Sequence, residues 1–589
     1  MPPTTQIKTS NTLMRIRLWY ALLLIISALF LIRLFYLQVI KHNFYRNVAH
    51  QGQFKEYEIP AQRGVIEAYS GEDRIPIVLN EPKYTLFADP KFVEDPKSAA
   101  AALQPIVGGD LAEYEEQMRQ DTRYAVLKKK LSREQGQKIE DLELKGVGTR
   151  EEPYRTYPQG SLASQLLGFV NDEGKGTYGV EQYMDNELKG VSGELKAITD
   201  ANGVPLVANQ DNIVTEPLAG KRIVLTIDIP MQKQTEDILK KGLARARSKS
   251  GSVVVLEAST GKVKAMANYP SYDPSEFFNV KDAQVFNNAS VSSPIEVGSI
   301  MKPFTVGAAL DLGVVKRNTT YFDPGRFVID NETIENVAEV AGSGTRSIKD
   351  ILERSLNTGA TWLLMQMGGG KINEQARVRW HEYMANHYQF GKNTDIEQGF
   401  ESAGTIPDPK EGYGLNIAYA NTAFGQAMTA TPLQMAAGIA GIVNGGEYHR
   451  PYLVDKTIDS QGNETITKPE VINSDVVKPE VGKTVKEMME GVIKRNYLVY
   501  GFKTLKPNYS IGGKTGTAQI AKPGGGYYDD KFNGMFMGFV GGDKVEYIVV
   551  VRVNEPGIAG YAGSQAAGPI FADLHTALID NFNVLPKRK

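Results

Sequence analysis

The most strongly patterned stretch of the chain is 18–39, LWYALLLIISALFLIRLFYLQV, a run of largely apolar residues. As a helix it would be about 33 Å long, enough to cross a bilayer core, so one membrane span over 18–40 is expected. From 41 to about 219 the chain turns polar. Short β-like runs appear at Pro76-Ile77-Val78-Leu79 and Tyr84-Thr85-Leu86-Phe87, with charged helical stretches at 110–120 and 132–144. This predicts an α+β spacer. The character changes again at Lys221: Arg222-Ile223-Val224-Leu225-Thr226-Ile227 reads as a strand, and Pro230 opens a helix over 231–247. Two β-rich runs within 251–267 flank Ser259-Thr260-Gly261-Lys262, which has the composition of a hairpin turn. The blocks 348–367 and 432–443 are apolar enough to be helices buried on more than one side. The expected organisation is therefore a tail over 1–17, a span over 18–40, a spacer over 41–220 and a mixed α/β domain over 221–589.

Charge sets the orientation of the span. Lys8, Arg15 and Arg17 precede it, so the positive-inside bias leaves the N-terminus in the cytoplasm and the bulk of the chain outside. A cleaved signal peptide is the competing reading, but the apolar run is long for one, and Gln38-Val39-Ile40-Lys41 offers no small-residue cleavage site. Arg33 interrupts the span; either it snorkels to the headgroups or it pairs with a membrane partner. With 66 Lys plus Arg against 68 Asp plus Glu, the net charge of -2 gives no basic footprint for nucleic acid. The absence of cysteine excludes disulfides, thiolate metal sites and cysteine nucleophiles. His381 and His387 are spaced six apart, off a common helical face, and read as surface residues; no metal site and no cofactor is expected.

Two serines have a lysine three residues on, about as many as chance supplies in a chain this long. Ser259 and Lys262 fall in the hairpin turn, where they share no helical face. Ser299 and Lys302 lead into the small-residue apolar stretch Pro303-Phe304-Thr305-Val306-Gly307-Ala308-Ala309-Leu310. Proline is best tolerated in a helix's first turn, which puts Ser299 near a helix N-terminus with the Lys302 amine in reach. A serine hydroxyl needs a base to become a nucleophile, and a lysine serves when burial or a neighbouring cation lowers its pKa. A second lysine stands in Ile511-Gly512-Gly513-Lys514-Thr515-Gly516-Thr517-Ala518. Its Gly-Lys-Thr is not a nucleotide loop, because Asn508 occupies the first required glycine position. Between them lies Ser355-Leu356-Asn357, in the helical block, with a hydroxyl and a carboxamide able to bridge lysines and bind a peptide amide.

The ordered set Ser-x-x-Lys, Ser-x-Asn, Lys-Thr-Gly resembles that of penicillin-binding proteins and serine β-lactamases. Arg63-Gly64-Val65-Ile66, Tyr157-Pro158-Gln159-Gly160-Ser161-Leu162-Ala163 and Gly179-Val180-Glu181-Gln182 look like the pedestal motifs of class B penicillin-binding proteins. Phe424-Gly425-Gln426 and Thr431-Pro432-Leu433-Gln434 look like that family's transpeptidase core. The likeness covers nearly the whole chain and implies a mixed α/β fold: one transmembrane helix, an elongated α+β pedestal of dimerisation type, and a transpeptidase domain with an antiparallel sheet flanked by helices. It implies a peptidoglycan D,D-transpeptidase in which Ser299 attacks the penultimate D-Ala carbonyl of a stem peptide, D-Ala leaves, and an amine of a neighbouring stem resolves the acyl-enzyme. Lys302 would be the base, Ser355 and Lys514 the proton relay, and Asn357 a ligand for the substrate amide. Thr515, Gly516 and Thr517 would bind substrate, and the backbone N–H groups of Ser299 and Thr517 would form the oxyanion hole. β-Lactams would mimic the donor, and a SEDS-family membrane glycosyltransferase would supply glycan strands, in septation or elongation. Leu356 stands where the family pattern has Asp. The motifs also admit a D,D-carboxypeptidase, a β-lactamase or antibiotic sensor, or a non-catalytic scaffold of the wall-synthesis complex.

Overall fold

Strands Ser250–Glu257 and Val545–Asn554 are apolar on both sides, so neither side can face water. Val253, Val255, Val549, Val551 and Val553 pack into one cluster, and Val254, Leu256, Ile548 and Val550 into another, the period of two that a strand imposes. In the computed structural model, which describes residues 10–45, 54–198, 213–500, 506–522, 524 and 526–588, these strands are central in a five-stranded antiparallel sheet. Its order is Val263–Tyr269, Ser250–Glu257, Val545–Asn554, Tyr527–Gly541, Ser510–Ala521. Helices Ile229–Ala246 and Gly568–Asn581 bury Leu239, Leu243, Ile570 and Phe571 on one face. Helices Lys302–Asp311 and Pro432–Val443 bury Phe304, Val306 and Ile439 on the other. Every residue of Pro432–Val443 is buried, as its largely apolar composition requires, and the one polar side chain, Gln434, donates to the Lys392 and Ala403 carbonyls. The first two strands form the expected hairpin, with Ser259 exposed in its turn and the Lys262 ammonium 2.8 Å from Asp455.

A second sheet runs in the order Glu464–Ile466, Val454–Ile458, Arg222–Asp228, Ile66–Ser70, Asp73–Ala88, Ala125–Leu131, with Val147–Thr156 also paired to Asp73–Ala88. The two β-like runs read at 76–79 and 84–87 are parts of that one 16-residue strand. The charged stretches are the helices Leu111–Gln117, capped by Asp110, and Arg133–Glu140, held by a capping box of Ser132 and Gln135. Arg222–Asp228, where composition changes, pairs parallel with Ile66–Ser70, so one sheet runs through that change. Residues 62–190 and 219–589 form one compact unit, and 1–61 with 191–218 another. The second unit contains a three-stranded antiparallel sheet of Phe54–Ile59, Gly193–Ile198 and Ile213–Thr215. It also holds the helix Ser10–Phe35, continued by a π-turn over Tyr36–Ile40. Leu13–Ile40 is long and apolar enough to cross a membrane, and the Arg33 guanidinium lies 5.5 Å from the centre of the Tyr36 ring. Lys8 lies outside the described residues.

In the larger unit, the expected pedestal motifs meet around one carboxylate. Glu181 is fully buried; its Oε2 is 2.6 Å from Arg63 and its Oε1 2.6 Å from Arg155. Arg63 also reaches Asp185 at 2.7 Å, and Arg155 donates to Asn80 Oδ1 at 3.0 Å. Taking Glu181 away would leave two guanidinium groups buried without their shared counter-charge. Glu181→Ala is therefore expected to cost about 3–5 kcal/mol, read as a fall in the urea midpoint of the purified protein. Removal of the exposed Lys138–Glu134 pair serves as the control and should scarcely move that midpoint.

Candidate active site

A short 3-10 turn, Gly298–Met301, precedes the helix Lys302–Asp311, whose first turn contains Pro303. Gly298 has φ +58°, and a Cβ there would sit 2.8 Å from the Thr517 carbonyl oxygen. Gly425, at φ +85°, would place a Cβ 2.1 Å from the Gly298 oxygen, and its own carbonyl accepts from the Gly298 N–H at 2.9 Å. Glycine at 298 allows the Ser299 turn to press against the edge strand Ser510–Ala521, and glycine at 425 allows its own loop to press against that turn.

The block at 348–367 is not a single helix. It divides into Ile348–Glu353 and Asn357–Met367, and Ser355 between them has φ 57°. Leu356 is fully buried, anchoring the second helix, while the left-handed Ser355 turns its hydroxyl and carbonyl towards Lys302. Leu356 thus faces the core, away from the site. The start of the second helix is fixed by Thr358, which donates to Asp323 at 2.8 Å and accepts from Asn336 Nδ2 at 2.7 Å. The Asn357 amide donates to the Glu335 carbonyl at 3.1 Å, which leaves its Oδ1 turned to Lys302.

These elements enclose a cleft of about 800 Å³, lined among others by Ser299, Ser355, Asn357, Lys514, Thr515 and Thr517. Lys302 is fully buried, with its Nζ 2.9 Å from Ser299 Oγ, 2.6 Å from Ser355 O, 2.8 Å from Asn357 Oδ1 and 3.2 Å from Ser355 Oγ. Lys514 Nζ lies 2.9 Å from Ser355 Oγ and 3.0 Å from its neighbour's carbonyl, Thr515 O. Burial, then the charge of Lys514, pushes the Lys302 amine well below the ordinary lysine value. Burial alone brings Lys514 down to about 7. A neutral amine has two N–H donors and one lone pair. Ser355 O and Asn357 Oδ1 can only accept, so they take the two donors and leave the lone pair of Lys302 for the Ser299 hydroxyl.

Thr515, Thr517 and Gln519 line the cleft at the period of a strand. Gly516 is buried between these residues, and a Cβ there would sit 2.8 Å from Val297 O. The Thr517 hydroxyl accepts from the Gly563 N–H at 3.0 Å. His381 and His387 are away from this cleft and half-buried rather than on the surface. The first lies 3.1 Å from the Tyr419 hydroxyl; the second is 3.0 Å from Val476 O and stacked on Tyr383. Sequence reasoning missed the wall formed by Val492, Arg495, Asn496 and Val499 of the helix Pro479–Tyr500, and Phe532, Tyr561 and Ser564 opposite. No motif marks them; their pattern is that of an ordinary amphipathic helix and of strand and loop positions.

Residues 251–576 match the penicillin binding protein transpeptidase domain and residues 58–225 the penicillin-binding protein dimerisation domain. Stage V sporulation protein D of Bacillus subtilis (strain 168) is 29% identical over 99% of this chain and 88% of its own length. Peptidoglycan D,D-transpeptidase FtsI of Escherichia coli (strain K12) is 27% identical over 96% of this chain and 91% of its own. Among solved structures, penicillin binding protein 2X from Streptococcus thermophilus superposes with a TM-score of 0.72 at 21% identity, over 90% of this chain and 81% of that one. Penicillin binding protein 3 from Mycobacterium tuberculosis, complexed with aztreonam, gives 0.67 at 23% identity over 90% and 98%. These two share the fold. The domain match over more than half of the chain, joined to the dimerisation domain before it, places the chain in the class B penicillin-binding proteins.

Proposed function

We propose that this chain is a serine-type peptidoglycan D,D-transpeptidase that works through an acyl-enzyme on Ser299. The observation that carries the reading is the Lys302 amine, buried without a counter-charge, with two fixed acceptors on its donors and Ser299 Oγ at 2.9 Å. Ser299 attacks the penultimate D-Ala carbonyl of a donor stem: the Oγ–C bond forms and the hydroxyl proton passes to Lys302. Ser355 Oγ, 3.2 Å from one lysine and 2.9 Å from the other, relays a proton to the amine of the departing D-Ala as its C–N bond breaks. Asn357 binds the substrate amide, and Thr515 and Thr517 hold the terminal carboxylate. The Thr517 carbonyl lies towards Gly298, and the N–H of an extended residue shares that side, so it and the Ser299 N–H suit the oxyanion. Each such donor is worth about 3 kcal/mol in the transition state. An amine from a neighbouring stem then attacks the ester; its C–N bond forms, the Oγ–C bond breaks, and Ser299 recovers its proton.

Glu353 is the one carboxylate among the described lining residues, and Lys349 holds it at 3.0 Å. No carboxylate of the described lining is thus free to activate water, which favours transfer to an amine. The tail 1–17 lies inside, the span 18–40 anchors the chain, and the pedestal 41–220 and transpeptidase domain 221–589 lie outside the cytoplasmic membrane. Glycan strands come from a SEDS-family glycosyltransferase that meets the span and pedestal, in septal or lateral wall synthesis. β-Lactams acylate Ser299 as mimics of the donor.

Ser299→Ala is expected to keep its fold and lose the covalent adduct with fluorescent penicillin, read by intact mass. An adduct that persists, or rapid turnover of penicillin by the wild type, would defeat the transpeptidase reading. Lys302→Arg puts a permanent cation with no available lone pair in its place, and should slow acylation by about 10³-fold, within the usual range for loss of a general base. The pH dependence follows from the direction of the shifts. The Lys302 pKa is depressed well below the ordinary lysine value, so its base form is present at lower pH than a free lysine's and is lost as pH falls through the depressed value; Lys514 gains its proton at about 7. Acylation rates measured in stopped flow should therefore fall on the acid side and reach their plateau well below the ordinary lysine range. A rate that rises only towards the ordinary lysine range would refute a depressed base.

A further inference from the structure

The helix Pro479–Tyr500 passes the cleft on the side of Ser355. Val492, Arg495, Asn496 and Val499 stand in the cleft wall, next to Leu352 of the segment leading to Ser355. Asn496 is only 4% exposed, and its Nδ2 has no hydrogen-bond partner among the described residues. Such a group costs free energy unless something in the cleft pairs with it. Arg495 is half-buried and makes no ion pair among the described residues, whereas Arg354, the other arginine of the lining, is held by Asp350 at 3.0 Å. An arginine fork without a carboxylate, an unpaired buried carboxamide and two valines together fit a ligand with an anionic group, a peptide bond and an aliphatic chain.

Which ligand enters here follows from the reaction. Aminolysis of the acyl-enzyme is the chemical reverse of acylation, so the incoming nitrogen must stand where the D-Ala nitrogen left and use the same proton relay, while the rest of the acceptor is free to lie on a wall other than the Thr515 and Thr517 strand that held the D-Ala carboxylate. That relay is Ser355 with Lys514, and the wall beside it is the one built by this helix. We propose that the last turns of Pro479–Tyr500 form the acceptor subsite, in which Arg495 binds a carboxylate adjacent to the attacking amine of the second stem peptide and Asn496 binds its peptide group. Val492 and Val499 pack the alkyl chain that carries the amine. The step is the one already written: the amine nitrogen bonds to the acyl carbon, Ser299 Oγ departs, and the amine's proton returns to it through Ser355. This inference rests on the transpeptidase reading.

The test uses the full-length protein in detergent, a thioester analogue of the donor, and two acceptors identical except that one bears a free carboxylate beside the amine and the other its carboxamide. Wild-type protein should partition the acyl-enzyme to the carboxylate acceptor about tenfold better than to the carboxamide, the preference one charge-assisted pair supplies. Arg495→Ala should erase that preference while leaving acylation by fluorescent penicillin unchanged, and Arg495→Lys should restore part of it. Equal use of both acceptors by the wild type would overturn the subsite without any variant being made, as would an Arg495→Ala protein that keeps the preference. Failure of the underlying reading is distinct, because it appears as no Ser299 acylation by either donor analogue or penicillin.

Discussion

A lysine amine buried without a carboxylate is an expense the rest of the larger unit has to carry. Lys302 is fully buried and Lys514 almost so, and desolvation is the leading cause of both depressed pKa values. The unfolded chain holds these protons up to the ordinary lysine value of 10.5, whereas the folded chain gives up the Lys514 proton at about 7 and the Lys302 proton well below its ordinary value. Stability therefore rises with pH across that window, and the full destabilisation is present below the folded values. What offsets it is apolar burial on both faces of the five-stranded sheet, with Phe304 edge-on to Tyr388 and Phe390 on one face and Phe536 stacked on Phe571 at 4.4 Å on the other.

The same amine dictates the backbone around it. Its acceptors come from a residue in left-handed conformation, Ser355, and from the first residue of the next helix, Asn357, which Glu335 and the Asp323–Asn336–Thr358 network fix in turn. The second lysine arrives from the edge of a sheet 159 residues away from Ser355, where Gly298 lets the turn approach the strand backbone and Gly425 lets its loop approach the turn. Two glycines and one strained serine are thus part of the electrostatics, since they set how completely water is excluded from two amines.

What could be read from the sequence was what is local. Ser299 and Lys302 are neighbours by helical spacing, Pro303 marks the helix start, and the alternation of valines fixes strands whatever they pack against. The break at Ser355 was not legible, because 348–367 has a continuous helical composition and the turn is forced by burial of Leu356 and contact with Lys302. The burial of Gly516 depends on strand register against Tyr527–Gly541, which no motif encodes. The parallel pairing of Ile66–Ser70 with Arg222–Asp228 is a contact between segments 157 residues apart at its closing end, where Gly71 meets Asp228. The acceptor-side wall was invisible for a related reason. Arg495 and Asn496 are ordinary helix residues until the helix is placed beside the cleft.

That placement bears on why the site transfers rather than hydrolyses. Once Ser299 carries an acyl group, the proton acceptors at hand are the two amines and Ser355, none of which is dedicated to water, and the lining carboxylate Glu353 is engaged by Lys349. The relay therefore serves whatever nucleophile is held in line with the ester. Effective molarity decides the outcome: an amine fixed by even one strong contact competes against water at its bulk concentration through orientation, and orientation of a bound reactant can lower a barrier by about 7–11 kcal/mol. In a site with a general relay and no water-specific base, the choice between cross-linking and hydrolysis passes from the catalytic residues to the wall that binds the acceptor.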